Sequence, residues 1–238
     1  MKKITILFLL LGTTILFCIE KMQLSIRYLG IPVVDVSMET SSDRLVVQAE
    51  STALASLAAD MNNSYIINYE DNFLPKSYKK IIKQKDYREN RITSYNRKDQ
   101  TANRVSFIDS TLSVHYPILP DTRDFFSALS YLRYVQQESG TITLDANKLL
   151  WSAKFRLLKN EALKTNIGKI KCDKYLVEFT KLTDAKRERS DMLTNNLVDE
   201  EKQLYLWLTK DNKRIPVKVK FQMSPFSVYW HLTEYENL

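Results

Sequence analysis

The stretch Leu204-Tyr-Leu-Trp-Leu-Thr-Lys-Asp-Asn-Lys-Arg-Ile-Pro-Val-Lys-Val-Lys-Phe221 decides the fold. Leu204, Leu206 and Leu208 alternate with Tyr205 and Trp207. After the polar run Lys210-Asp-Asn-Lys213, Ile215, Val217, Val219 and Phe221 alternate with Lys218 and Lys220. Two arms of period two around a turn-forming cluster predict an antiparallel hairpin with one packed and one wet face. The period continues on both sides. Downstream, Val228, Trp230 and Leu232 alternate with Tyr229, His231 and Thr233. Upstream it recurs at Met22 to Tyr28, Val34 to Met38, Leu45 and Val47, Tyr65 to Tyr69, Ile92 with Ser94, and Val105 with Phe107.

Two segments leave that period. After Pro120, Asp121 and Asp124 supply capping chemistry, and Phe125, Leu129 and Leu132 then share one helical face with Phe126 beside them, which predicts a helix over 122–136. The run 52–62 aligns Leu54, Leu57, Ala58 and Met61 and predicts a second, shorter helix, whereas 198–202, after Asn195 and Asn196, reads as a charged loop. The expected fold is mainly β. One large, curved antiparallel sheet of roughly nine to twelve strands forms a half-open barrel, with one or two short helices packed on its concave side. No repeat or Pro/Gly-rich linker divides residues 22–236, so they are expected to form a single domain.

The chain has 238 residues, 44% hydrophobic and 26% charged, a globular balance. Its first eighteen residues read as a signal peptide: Lys2 and Lys3, then an uncharged run from Ile4 to Phe17. As a helix that run reaches about 21 Å, short of the ~30 Å hydrocarbon core. The expected location is therefore the periplasm or another extracytoplasmic space. A lipid anchor at Cys18 is disfavoured by the bulky Phe17 before it. Once Cys18 leaves with the signal, Cys172 is the one remaining thiol, and it reads as a buried small hydrophobe.

The four glycines stand alone, which excludes Gly-rich phosphate loops. Two histidines 116 positions apart and two cysteines 154 apart exclude the usual zinc and CxxC spacings, so neither metal nor cofactor is expected. No nucleophile motif accompanies His115 or His231, and no catalytic residue is assigned. Net charge is +7, about +5 without Lys2 and Lys3. Between Lys76 and Arg104 ten Lys or Arg face Asp86, Glu89 and Asp99. Such a run fits the solvated face of strands. It also fits attraction to an anionic envelope component or a membrane surface, but not nucleic acid in an exported protein.

Four segments carry a resemblance: Ile26-Arg-Tyr-Leu-Gly-Ile-Pro-Val33, the helix start Asp124 to Arg133, the strand Gly168 to Phe179, and Leu206 to Val219 with its Arg214-Ile-Pro-Val217. In these the chain resembles the domain-of-unknown-function family 3108, exported bacterial proteins without an established activity. It departs from them in its few glycines, in Ser224-Pro225-Phe226, and in its basic load. The resemblance implies fold and address, and the outline is similar to the curved sheets of periplasmic lipoprotein carriers. The expected function is non-enzymatic binding of a lipid, acyl chain or envelope polymer. The candidate contacts are Phe125, Phe126, Leu129, Leu132, Val217, Trp207 and Trp230, with Arg133 as anchor for an anionic head group. Leu206 and Trp207 lie on opposite faces of one strand and compete for the inward position. The alternative is a structural or interaction protein of the envelope with a solid core. An apolar cavity of several hundred cubic ångströms between sheet and helix separates the two.

Overall fold

A computed structural model describes residues 19–165, 168–194, 197–222 and 225–237. The expected signal at 1–18 with Cys18, and Asn195, Asn196 and Ser224, lie outside the described residues. The alternating segments become strands in chain order. They are β1 (Glu20–Tyr28), β2 (Ile31–Thr40), β3 (Arg44–Ser51), β4 (Met61–Tyr69), β5 (Pro75–Gln84), β6 (Tyr87–Asn96), β7 (Thr101–Ser106) and β8 (Val114–Pro117). Then follow β9 (Ser139–Ala146), β10 (Leu149–Thr165), β11 (Gly168–Lys181), β12 (Gln203–Thr209), β13 (Pro216–Gln222) and β14 (Val228–Asn237). All lie in one sheet, ordered β8-β7-β6-β5-β4-β3-β2-β1-β14-β13-β12-β11-β10-β9, each pair antiparallel. The expected fold class holds, although the sheet has fourteen strands. The strands that the period does not announce are β5, whose inward positions include Lys80 and Gln84, the four-residue β8, and the β9–β10 hairpin.

Ordinary up-and-down connections join the strands, except that β1 pairs with β14 and ties the two ends of the chain together. Every odd-to-even connection therefore emerges at one end of the half-barrel, here the upper end. It carries the β1–β2 turn, the 52–60, 107–113 and 182–202 segments and the β13–β14 connection. The edges β8 and β9 are not joined by a backbone ladder. Instead Arg123 forms a single bridge to β9: its N–H donates to Thr143 O (2.9 Å) and its carbonyl accepts from Asp145 N (2.7 Å). Tyr95 and Tyr116 donate their hydroxyls across the same seam to Asp145 Oδ2, at 3.1 and 2.5 Å.

The helix α2 (Phe125–Tyr134) is capped by Asp124, whose Oδ1 accepts from Phe126 N (2.9 Å) and Ser127 N (3.1 Å). Asp124 is thus the cap itself, and Asp121 is exposed. Phe125, Phe126 and Leu132 are buried inside the curve of the sheet against a core drawn from almost every strand. The second expected helix is corrected. Only α1 (Ala53–Ser56) is helical, Leu54 and Leu57 stay exposed, and Met61 opens β4 with its side chain in the core. A four-residue turn whose apolar positions find no partner cannot gain the packing that sustains a longer helix.

Candidate functional site

Two interior regions matter. The first is the apolar contact between α2 and the inward faces of β1, β2, β12, β13 and β14. Parity places Met22 and Leu24 of β1, Met38 of β2, Leu206 of β12, Val219 of β13 and Trp230 of β14 on that face, all buried. With Leu129 and Arg133 they surround a gap of about 40 Å³. A second gap of about 20 Å³ lies between α2 and β9–β12, against Phe125, Leu129 and Leu132.

The candidate contacts divide accordingly. Phe125, Leu129, Leu132, Arg133 and Trp230 border these gaps. Val217 is buried on the inward parity of β13, and Phe126 packs on Tyr65 with ring centroids 5.0 Å apart. Trp207 is a correction. The inward position belongs to Leu206, and Trp207 lies on the outer face, where its indole N–H donates to Glu161 Oε1 (2.6 Å). Lys174 and Lys218 flank the Trp207 ring at 4.9 and 5.1 Å and cover it, which explains how an outward tryptophan is buried.

Arg133 is engaged from three sides. Both terminal nitrogens donate to the Glu20 carboxylate, and Nε donates to Lys213 O (2.8 Å) and Arg214 O (3.1 Å). Glu20 stands 113 residues away in sequence, so no local pattern pointed to it. The guanidinium joins β1, α2 and the β12–β13 turn.

The second region is a buried polar cluster beneath the 182–202 segment at the upper end. Lys80, 1% exposed, sits at the same parity as Tyr78 and Ile82 and so faces inward. Its ammonium lies 2.5 Å from Asp191 Oδ2 and donates to Ser190 Oγ (3.1 Å), Asn147 Oδ1 (3.3 Å) and Thr194 Oγ1 (3.3 Å). Asp191 also accepts from Tyr65 OH (2.8 Å) and Thr194 N (2.7 Å). On β6, Arg91 Nε lies 2.5 Å from Glu89, and Arg91 also donates to Asn147. On β7, Arg104 donates to Leu112 O and to Glu188 Oε2, at 2.8 and 2.9 Å. Here the solvated-face reading of the 76–104 run is corrected: Lys80, Arg91 and Arg104 point inward. The parity of Lys80 between Tyr78 and Ile82 was a usable signal; nothing in sequence marked Asp191.

Buried charges persist only when paired, and this cluster is paired throughout the contacts just described. Burial alone would raise the Asp191 carboxyl, yet Lys80 and the Thr194 hydrogen bonds hold it down to about 2. It stays ionised at neutral pH and serves as a fixed counter-charge, not as a proton acceptor. The cluster fastens the 182–202 segment across the upper end of the lumen. Outside it, where that segment crosses the β5–β6 turn, a solvent-open trough of about 480 Å³ carries both charge signs, with Lys85, Arg187 and Arg189 opposite Asp60 and Asp86. Cys172 is buried, and burial with nearby Asp173 and Glu161 pushes its thiol up to about 11.

Comparison with known proteins gives a family and a fold. The family model described as "Protein of unknown function (DUF3108)" matches residues 23–227. No curated protein matches the chain. Among solved structures, a β-barrel-like protein of the domain of unknown function DUF1849 from Brucella abortus superposes with a TM-score of 0.59 at 8% identity, covering 94% of this chain and 98% of that one. That likeness is one of fold. Two weaker ones are a lipoprotein candidate from Parabacteroides distasonis (TM-score 0.35, 12% identity, 91% and 94% covered) and an exported-protein candidate with a YmcC-like fold from Bacteroides fragilis (0.33, 12%, 91% and 95%).

Proposed function

The chain belongs to the DUF3108 family of proteins of unknown function, and on that premise we propose that it is an exported, non-catalytic interaction protein of the cell envelope. In this reading the interior is structural, filled by α2, by the core side chains and by the polar cluster under the 182–202 segment. The observation that carries it is the gap between α2 and the sheet, about 40 Å³. A pocket that encloses a small organic ligand measures roughly 300–1,000 Å³. A gap of this size holds a water or two and no acyl chain. Arg133, the residue suited to anchor a head group, already serves Glu20 and two carbonyls.

A second reading keeps the acyl chain as ligand. It is favoured by the apolar lining of the gap and by its two methionines, Met22 and Met38, whose unbranched side chains repack readily. It requires α2 to lift from the sheet. Mass spectrometry of lipid extracts from protein purified natively out of the envelope decides between them. The expected result is no lipid near one equivalent per chain. A stoichiometric acyl species would overturn the filled-interior reading and establish the second.

A further inference from the structure

The exposed apolar side chains are not scattered. Of the fifteen large ones among the described residues, all but Ile81, Val105, Leu119 and Tyr134 lie at the upper end. The densest group is the tip of the β1–β2 hairpin and what touches it. Leu29 and Ile31 are 59% and 51% exposed, and the Phe226 ring meets Tyr28 edge-on at 6.0 Å. Thr52 ties α1 to the same hairpin, donating from N–H to Val33 O and from its hydroxyl to Pro32 O, both 3.1 Å. That holds Leu54 and Leu57, 66% and 86% exposed, beside the tip. Leu29 also has φ 51°, a left-handed conformation that an asparagine or glycine would adopt more easily. A bulky apolar residue there is both strained and wetted, so neither folding nor solubility accounts for it.

A second feature begins where the tip ends. Arg27 pairs across β1–β14 with Tyr229, and Tyr229 across β14–β13 with Lys220. One step down, His231 pairs with Lys218, and Lys218 with Trp207. Cations and rings thus alternate along two rows of the outer face. Lys218 lies 5.1 Å from both the Trp207 and Tyr229 rings, and Lys220 lies 5.5 Å from Tyr205. Among the described residues no carboxylate forms an ion pair with Arg27, Lys218 or Lys220. The nearby Glu161 is taken by Lys159 (2.7 Å) and by the Trp207 indole. Among the described residues Glu161 is the carboxylate that acts on Lys218, and half-burial, with Lys174 and Lys220 nearby, still depresses the Lys218 ammonium against its pull. An external anion would relieve it.

We propose that the upper end is a membrane-docking site: the Leu29–Ile31 tip with Leu54, Leu57 and Phe226 enters the interfacial region of a bilayer, while Arg27, Lys218 and Lys220 face anionic head groups. A lipid surface is favoured over a soluble polyanion because it alone offers an apolar layer next to an anionic one, in the order the protein presents them. The proposal deepens the envelope reading above and rests on its premise that the protein works outside the cytoplasm.

Co-sedimentation of the mature chain with phosphatidylcholine vesicles, with and without phosphatidylglycerol, tests it. Wild type should bind the anionic vesicles more tightly, with added salt closing the difference. Lys218→Gln with Lys220→Gln should weaken anionic binding roughly ten- to thirty-fold and leave neutral binding unchanged. Leu29→Asn with Ile31→Ser should lose most binding to both compositions while melting no lower than wild type, because asparagine accepts the left-handed backbone. Equal binding by the tip variant, no preference for anionic vesicles, or displacement by a soluble anionic polysaccharide would each overturn the proposal. A stoichiometric acyl chain in the core would refute the filled-interior reading and leave these vesicle results standing.

Discussion

Asp124 performs two tasks whose electrostatic demands conflict. As N-cap it accepts from Phe126 N and Ser127 N, which favours the carboxylate, yet it is fully buried and stands near Asp145. Burial wins, and its carboxyl is pushed up to about 6. A carboxyl with a folded pKa above its unfolded ~3.9 binds more protons in the native state, so its contribution to stability is complete below pH ~4 and lost as pH rises through ~6. Asp124→Asn keeps a good capping side chain without the charge. Denaturant unfolding between pH 4 and 7 should show the wild-type slope from this group disappear. The variant should equal or exceed wild type at pH 7, by up to about 3 kcal/mol. An unchanged pH profile would refute the assignment. The Lys80–Asp191 pair lies on the other side of the balance: Asp191, held at about 2, contributes stability that is complete above its unfolded ~3.9 and is lost as pH falls from there through about 2.

Among the elements, β9 and β10 show how one missing side chain fixes a register. Gly140 stands opposite Phe155, and a Cβ at 140 would meet the Phe155 ring at 2.7 Å. Phe155 is buried and cannot swing out without emptying the core. Gly140→Ala should therefore destabilise by about 1–3 kcal/mol by overpacking. Adding Phe155→Leu should recover part of that loss, because it removes the clash. Additive losses in the double variant would show that the two positions do not meet. The helix α2 makes a related point: a side-chain cap at Asp124 and an apolar stripe suffice to place it, whereas α1 has its cap at Thr52 and no buried face, and remains one turn.

On the scale of the whole molecule, the sheet curls until its opposite edges face each other, and side chains join them. Tyr116 belongs to β8, Tyr95 to β6 and Asp145 to β9, and both hydroxyls converge on one carboxylate oxygen. Burial and then Asp145 push both phenols well up, so they remain donors at any physiological pH. Tyr95→Phe with Tyr116→Phe leaves the Asp145 carboxylate short of two donors in a buried site. It should cost about 2–4 kcal/mol, with faster amide exchange concentrated in β8 and β9. Uniform exchange across the sheet would mean that the seam does not hold the half-barrel closed. The membrane-docking proposal belongs to this scale too, since it depends on all odd-to-even connections sharing one end.

The sequence by itself determined the mainly β class, the hairpin at 204–221 and a helix beginning among Asp121 to Asp124, because period and capping chemistry are local properties of a few neighbouring residues; the structure chose Asp124 as the cap. It determined which residues of a strand share a face. Which face is inside was settled only by the curl of the sheet. For that reason Leu206 and Trp207 were equal candidates, and Lys80, Arg91 and Arg104 read as a solvated run until the lumen enclosed them. The partners were beyond local reading altogether: Arg133 finds Glu20 from 113 positions away, and Lys80 finds Asp191 from 111. Such pairs exist because β1 closes on β14 and the 182–202 segment folds over the lumen. Both are long-range events, whose geometry no window of adjacent residues encodes.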